Sequence, residues 1–562
     1  MYSRSVQFVF AVVFSLLVQG CSKRAPEADA GGVPPPAKGV TDILFTYGSE
    51  KQAWVEQVTA DFNKRGAKTG SGNTIRVTTQ AKGSGDCLDE LIAGINKAHV
   101  TSPASSAFIK LGNAQWRAKT GKDLVPSTEN LVLSPVVIAM WQPMAEALGW
   151  GKQPIGWEEI LAMATEPRGW AAKGMPQWGQ FRFAHTHPQF SNSGLISLFA
   201  EVYAATGRKS ALTVADVQKP EVAKFLGGIE RSVVHYGSST GFFGKKMFAN
   251  GPGYVSAAVL YENTVIESYQ QSQPTSFPVV AVYPKEGTFW SDHPAGIVDR
   301  DWVTPEHRDA ARKYLDFLLA REQQEKAMAL GFRPALAELA LTAPLDAAHG
   351  VNPKEPQTTL EVPSVETMDA ITRLWQQQKK RSNVTLVMDV SGSMNDNGRM
   401  VSARTGAQEF VKMLGDEDTF RLLPFNSTVM ASAPAAPLGK IRAQSMSAVG
   451  SLIPGGGTAL YDAISSAFNE QMANRSANTD KISAIVVLTD GADTDSATKL
   501  QTLLEHIRYD GEKQTIRIFT IGYDSGAQQD VLKKIADATQ AKFYEGKPQN
   551  IREVFRDIST FF

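Results

Sequence analysis

The strongest constraint on folding is a repeated alternation in the last third of the chain. Short apolar runs, long enough only for a buried strand, are each followed by a small polar loop and then by apolar residues at helical spacing. Val384–Met388 runs into Asp389-Val390-Ser391-Gly392-Ser393, and Met400–Leu414 then carries Phe410, Val411 and Leu414 on one side. Thr419–Phe425 is the next strand pattern, and Gly455-Gly456-Gly457-Thr458 opens a helix pattern through Leu460, Ile464 and Phe468. Ile482–Leu488 ends in Thr489-Asp490-Gly491, Arg517–Ile521 repeats the strand pattern, and helix patterns follow at Leu532-Ile535-Ala536 and Ile551-Val554-Phe555-Ile558. Strands apolar on both faces need helices on both faces, so this segment predicts a doubly wound, mainly parallel α/β sheet.

The same alternation opens the chain. Ile43–Tyr47 is a strand pattern entering Gly48-Ser49, and Lys51–Lys64 places Trp54, Val55, Val58 and Phe62 at helical spacing. Thr74–Thr79 enters Lys82-Gly83-Ser84-Gly85 before Leu88, Leu91, Ile92 and Ile95. A chain of 562 residues is several domains long. Between the two α/β segments, Thr342–Pro363 carries Pro344, Pro353, Pro356 and Pro363 and reads as a connection. Ser364 then caps a helix pattern with Val365, Met368, Ile371, Leu374 and Trp375 on one face. The expected divisions are a first α/β unit over 41–345, a linker and helix over 346–380, and a second α/β unit over 381–562.

Composition narrows the function. Lys plus Arg and Asp plus Glu both number 57, so the formal net charge is zero, which argues against nucleic-acid binding. Gly83-Ser84-Gly85 lacks the spacing of a phosphate-binding loop, and no nucleophile–base pair or zinc motif stands out, so no enzyme is expected. His185-Thr186-His187 is a weak metal pattern, better read as hydrogen-bonded loop histidines, and Trp170, Trp178, Phe181 and Phe183 read as core. Of the two cysteines, Cys87 reads as a buried thiol.

Cys21 has a different setting. Arg4 and the eleven apolar-rich residues Phe8–Val18 form a secretory-signal pattern too short to span a membrane. Leu17-Val18-Gln19-Gly20-Cys21 resembles the bacterial lipobox, which implies a signal peptide over 1–20 and a lipid on Cys21. The Pro-, Ala- and Gly-rich residues over 21–40 read as a tether. The resulting expectation is a lipid-anchored protein of the cell envelope, at the periplasmic face or the outer membrane.

The polar residues of the second unit carry the sharpest chemical signal. Asp389, Ser391, Ser393, Thr458 and Asp490 fall at strand ends and loops of one sheet edge and offer only oxygen donors. That chemistry suits Mg²⁺ or another hard divalent cation and disfavours zinc. Asp493 and Asp495 nearby read as a solvated acidic loop. The set of five resembles the von Willebrand factor A (VWA) domain and its metal-ion-dependent adhesion site, a Rossmann-like fold. Asp389, Ser391 and Ser393 match its D-x-S-x-S element, with Thr458 and Asp490 at the two later positions. The resemblance implies that the hydroxyls contact the metal, and that an acidic residue of a protein partner completes the shell.

The first unit resembles the two-lobed periplasmic solute-binding proteins. The residues carrying this are Leu44–Ser49, Ala81–Gly85, Thr101–Ser106, Leu131–Met140, Ser191–Gly194, Tyr261-Glu262-Asn263, Tyr283–Thr288 and the tail Arg312–Arg333. The resemblance implies that Leu131–Met140 crosses between lobes. It also implies an interlobe ligand, a small polar solute or oxyanion, touched by Ser49, Ser84, Ser105, Ser193 and Tyr261. The whole reads as a binding protein in which this unit holds a ligand or serves as a scaffold and the VWA unit holds a protein partner through Mg²⁺. The alternative is the solute receptor of an ABC importer with an accessory VWA domain.

Overall fold

The computed structural model describes residues 39–478, 480–508, 516–523 and 528–562. Cys21, the signal pattern and most of the tether lie outside these residues. Among the described residues, no helix is long and apolar enough to cross a membrane.

The first unit has two lobes, each around its own sheet. In the first lobe the strands run in the order Thr74–Lys82, Val40–Gly48, Val100–Ser102, Pro294–Ile297, Glu129–Asn130, and the first three are parallel. Trp54, Val55, Val58 and Phe62 all face inward from the helix Gln52–Arg65, as their spacing predicts. In the second lobe, Val132–Trp141 pairs with Ala257–Tyr261, Val279–Val282, Trp290–Ser291 and Arg333–Pro334. Val132–Trp141 is the expected crossing strand: Leu131 and Val132 pack in the first lobe's core, and Val136–Trp141 in the second's. The chain crosses back at Trp290–Ile297, and the helices Pro305–Leu319 and Arg321–Ala329 return to the first lobe. Trp170, Phe181 and Phe183 are core, with Trp178 partly buried against them.

The Pro-rich connection is held along the second lobe and is not a free linker. Ala281 N donates to Gly350 O (2.8 Å), Thr288 N to Thr358 O (3.1 Å) and Leu360 N to Thr288 O (2.8 Å). Ser364 caps the helix Val365–Gln378 by accepting from Thr367 N (3.3 Å). Trp375 is buried with its ring 5.0 Å from His187 and 5.3 Å from Tyr236, so this helix is part of the second lobe's surface.

In the second unit the sheet order is Ala436–Pro437, Thr419–Phe425, Ser382–Asp389, Ile482–Thr489, Arg517–Tyr523, Phe543–Gly546. All pairings are parallel except that of Ala436–Pro437. Alternate side chains of the central strand serve opposite cores. Val384, Leu386 and Met388 pack with Phe410, Phe555 and Ile558, while Val387 packs with Leu460, Ile464, Leu532 and Ile535. After Ser382–Asp389 the chain first adds a strand on one side and later Ile482–Thr489 on the other. The direction of winding therefore reverses between these two neighbours, and the crevice at their carboxyl ends is where such sheets bind ligands.

The two units share buried surface. His235 sits in it, its Nδ1 2.5 Å from Tyr236 O, its Nε2 hydrogen-bonded to the Tyr254 hydroxyl, and its ring 5.4 Å from Phe561. Burial, with the positive charges of Lys246 and Arg517 beside it, lowers His235 to about 3. A histidine depressed in this way stabilises the fold above its unfolded value near 6.5 and loses that contribution as pH falls toward the folded value. Between pH 7 and pH 5 the loss is about 2 kcal/mol. Urea unfolding of His235→Gln at the two pH values should therefore show about 2 kcal/mol less acid destabilisation than wild type; parallel curves would contradict a neutral buried imidazole.

Candidate functional site

Asp389 ends the central strand and Asp490 follows its neighbour, and the register Met388 opposite Leu488 sets them side by side. Asp389 is fully buried; its Oδ1 accepts from Ser391 N (2.7 Å), closing a tight turn, and its Oδ2 accepts from Thr489 Oγ1 (2.5 Å). That turn aims both serines at one place: Ser391 Oγ and Ser393 Oγ lie 3.1 Å apart, and Ser393 Oγ donates to Asp490 Oδ1 (2.8 Å). The glycine loop before Thr458 is tied to the same edge by Gly455 N donating to Val390 O (2.8 Å) and Gly392 N to Gly456 O (2.9 Å). Gly491, next after Asp490, faces the same point: a methyl on it would lie 3.6 Å from Thr458 Oγ1 and 3.9 Å from Ser393 Oγ.

Asp389, Ser391, Ser393 and Asp490 are thus linked in one chain of contacts, and Thr458 Oγ1 stands beside them across Gly491. As an all-oxygen set of two carboxylates and three hydroxyls, Asp389, Ser391, Ser393, Thr458 and Asp490 are the residues that would hold a hard divalent cation such as Mg²⁺. Burial, with Asp490 adding to it, raises Asp389 to about 6 against the opposing hydrogen bonds from Thr489 and Ser391. A dication would offset that cost. The sequence reading misses Arg399, whose Nη1 lies 2.8 Å from Asp490 Oδ2 and donates to Ser393 O (3.2 Å). Asp493 and Asp495 are not simply a solvated acidic loop. Asp495 Oδ2 accepts from Thr458 N (2.9 Å) and Asp493 Oδ1 from Tyr461 N (3.2 Å), which fixes the loop that carries Thr458.

The residues expected to touch a ligand in the first unit divide into two groups. Ser105, Ser193 and Tyr261 are buried in one network built by Asn192, part of the Ser191–Gly194 motif but not among the residues expected to touch a ligand, and by Thr240, which no motif marks. Asn192 accepts from Ser105 Oγ (2.6 Å) and donates to Tyr261 OH (3.0 Å), and Thr240 Oγ1 donates to Ser193 Oγ (2.9 Å). Ser84 Oγ is apart from them, accepting from Ala104 N (2.9 Å), and Ser49 Oγ is buried without a hydrogen-bond partner. The lobes meet closely, since Gly85 N donates to Phe190 O (3.0 Å) and a methyl on Gly241 would lie 3.2 Å from Ser49 O.

Beside Ser49, Lys51 Nζ lies 2.6 Å from Glu50 Oε1 and 3.1 Å from His293 Nδ1, all three side chains buried. Burial works to raise Glu50, but Lys51 and His293 outweigh it and bring it down to about 2. His293 is lowered to about 4 by burial and by Lys51, its φ is 39°, and its Nε2 is buried without a partner. A non-glycine residue held in the left-handed region is a strained one, of the kind found at binding sites. Glu50 and Lys51 give no sequence signal because adjacent charges after a glycine usually read as solvated.

His185 and His187 are buried; His185 Nε2 lies 3.0 Å from Glu230 Oε1, and His187 packs edge-on to Trp375. Among the described residues no group of three or more His, Cys, Asp or Glu side chains is placed to hold a metal, so any cation at Asp389 and Asp490 would need the hydroxyls as well. Burial raises Cys87 to about 12, which makes it an inert thiol.

Comparison with known proteins gives two family matches. The family described as bacterial extracellular solute-binding protein matches residues 43–333, and the von Willebrand factor type A domain matches residues 383–557. Among solved structures, the sulfate-binding protein SubI from Mycobacterium tuberculosis is 19% identical, covering 58% of this chain and 93% of that chain, with a TM-score of 0.36. The periplasmic binding protein AfuA from Actinobacillus pleuropneumoniae, with fructose-6-phosphate bound, is 15% identical over 60% of this chain and 99% of that chain, with a TM-score of 0.42. A von Willebrand factor type A protein from Catenulispora acidiphila is 22% identical over 32% of this chain, which spans 43% of that chain, with a TM-score of 0.27. No curated protein matches.

Asn192 bridges the lobes and serves two buried hydroxyls. Asn192→Ala is therefore expected to lower unfolding stability by about 1–3 kcal/mol in urea titrations, and an unchanged midpoint would contradict a network closed on itself.

Proposed function

From the premise that the chain belongs to the bacterial extracellular solute-binding protein family and carries a C-terminal VWA domain, we propose that it is a cell-envelope binding protein and not an enzyme. In this reading its VWA domain engages a protein partner through Mg²⁺. The observation that carries it is the convergence of Asp389, Ser391, Ser393, Thr458 and Asp490 at one sheet edge. When bound, the metal supplies a positive centre for an acidic residue of the partner. Asp389 is held in orientation by Thr489 and the Ser391 amide, and Ser393 lies on the exposed rim where a partner has access. The family description supports an extracellular or periplasmic location. The lipid anchor on Cys21 is part of the proposal, tested by the intact mass of the mature protein.

For the first unit we propose a small polar ligand at the junction of the lobes. Ser49 Oγ and His293 Nε2, both buried without partners beside the Glu50–Lys51–His293 cluster, support it. The hydroxyl network of Asn192 and Thr240 favours a second reading, in which the joined lobes serve as a scaffold. A thermal-shift series with sulfate, phosphate, sugar phosphates and amino acids separates the two: a stabilising compound supports the ligand reading, and none supports the scaffold.

The metal reading is tested by calorimetric Mg²⁺ titration of wild type and Asp389→Ala. Wild type should bind and gain melting temperature with excess Mg²⁺, while the variant, its core strand intact, should do neither. Identical titrations would overturn the adhesion-site reading.

A further inference from the structure

The last helix, Ile551–Ser559, has two working faces. Ile551, Val554, Phe555 and Ile558 are buried against the VWA sheet, with the Phe555 ring 5.6 Å from Phe410. Glu553 and Arg556 lie off that stripe toward the first unit, Thr560 follows just past the helix, and Asp557 is also held within its own domain by Lys542 (3.1 Å). There the helix lines an open-sided cavity of ≈ 250 Å³ whose wall also includes Ser49, Lys82 and Asp86 from the first lobe and Ser238 from the second.

Two contacts from this short stretch grip different lobes. Arg556 Nη2 lies 2.8 Å from Asp86 Oδ1 and 3.2 Å from Glu90 Oε1, on the first-lobe helix Ser84–Ala93. Five residues on, Phe561 O accepts from Tyr236 N of the second lobe (3.4 Å), and the Phe561 ring stands 5.4 Å from His235 and 5.6 Å from Lys246 Nζ. The two grips are five residues apart along the chain, on the last turn of the helix and the turn that follows it. The lobes cannot part at this mouth without one of the two grips being lost.

We propose that the last helix of the VWA domain is a latch across the cleft mouth, so that parting of the lobes and release of the Arg556 contact are one event. The latch builds on the two-lobed reading of the first unit, but it does not require that a solute be identified. It gives the VWA domain a direct hold on whether the cleft can open.

The test is a spin-label distance between the lobes in the full chain, from Lys64→Cys and Lys152→Cys, both exposed, with Cys21 replaced by serine. Arg556→Glu should shift the distribution toward longer distances, and the charge swap Asp86→Arg with Arg556→Asp should return it toward the wild-type distribution. The swap also separates loss of the latch from loss of fold. Distributions that coincide in wild type and Arg556→Glu would overturn the proposal, as would a swap that stays as open as the single variant. Because no solute is added, this result is independent of whether the cleft binds one.

Discussion

The arrangement of the molecule depends on the last helix burying one stripe in its own domain and presenting Arg556 to the other. An amphipathic helix at the edge of a doubly wound sheet would ordinarily leave its polar face in water. Here that face meets Asp86 and Glu90, and the residues after it pack on His235 and Lys246. The Pro-rich connection follows the second lobe, and the helix Val365–Gln378 seats Trp375 against Tyr236. The two units are thus joined at both ends of the VWA domain.

The cluster of Asp389, Ser391, Ser393 and Asp490 follows from a separate constraint, the reversal of winding between Ser382–Asp389 and Ile482–Thr489. That reversal opens a crevice at the strand ends, and the carboxylates fall there because Asp389 is the last residue of one buried strand and Asp490 the first after its neighbour. Placed with little solvent, Asp389 carries a desolvation cost that a cation would offset. Arg399 already lies against Asp490, so a metal would share that carboxylate with a guanidinium.

Much of this was legible in the sequence, for reasons of distance along the chain. The strand patterns at 384–388 and 482–488, and the apolar spacing of Ile551, Val554, Phe555 and Ile558, report on the segments that contain them. That Asp389, Ser391 and Asp490 fall at strand ends was legible because strand ends are local features. The roles of Asn192, Thr240 and His293 were not, since each depends on a partner from another element. The contact of Arg556 with Glu90 joins residues 466 positions apart, and no local pattern marks it. The connection reads as a loose linker because prolines exclude helix and strand, which says nothing of whether the backbone is held by neighbours.

The joining of the units is tested most directly by hydrogen exchange at the Tyr236 amide, whose partner is the Phe561 carbonyl across the interface. In the full-length protein this amide should exchange far more slowly than in an unstructured peptide, and Phe561→Gly should speed it while exchange in the central strand Ser382–Asp389 is unchanged. A Tyr236 amide that exchanges at the unprotected rate in wild type would contradict the account, because the last helix would then not hold the second lobe.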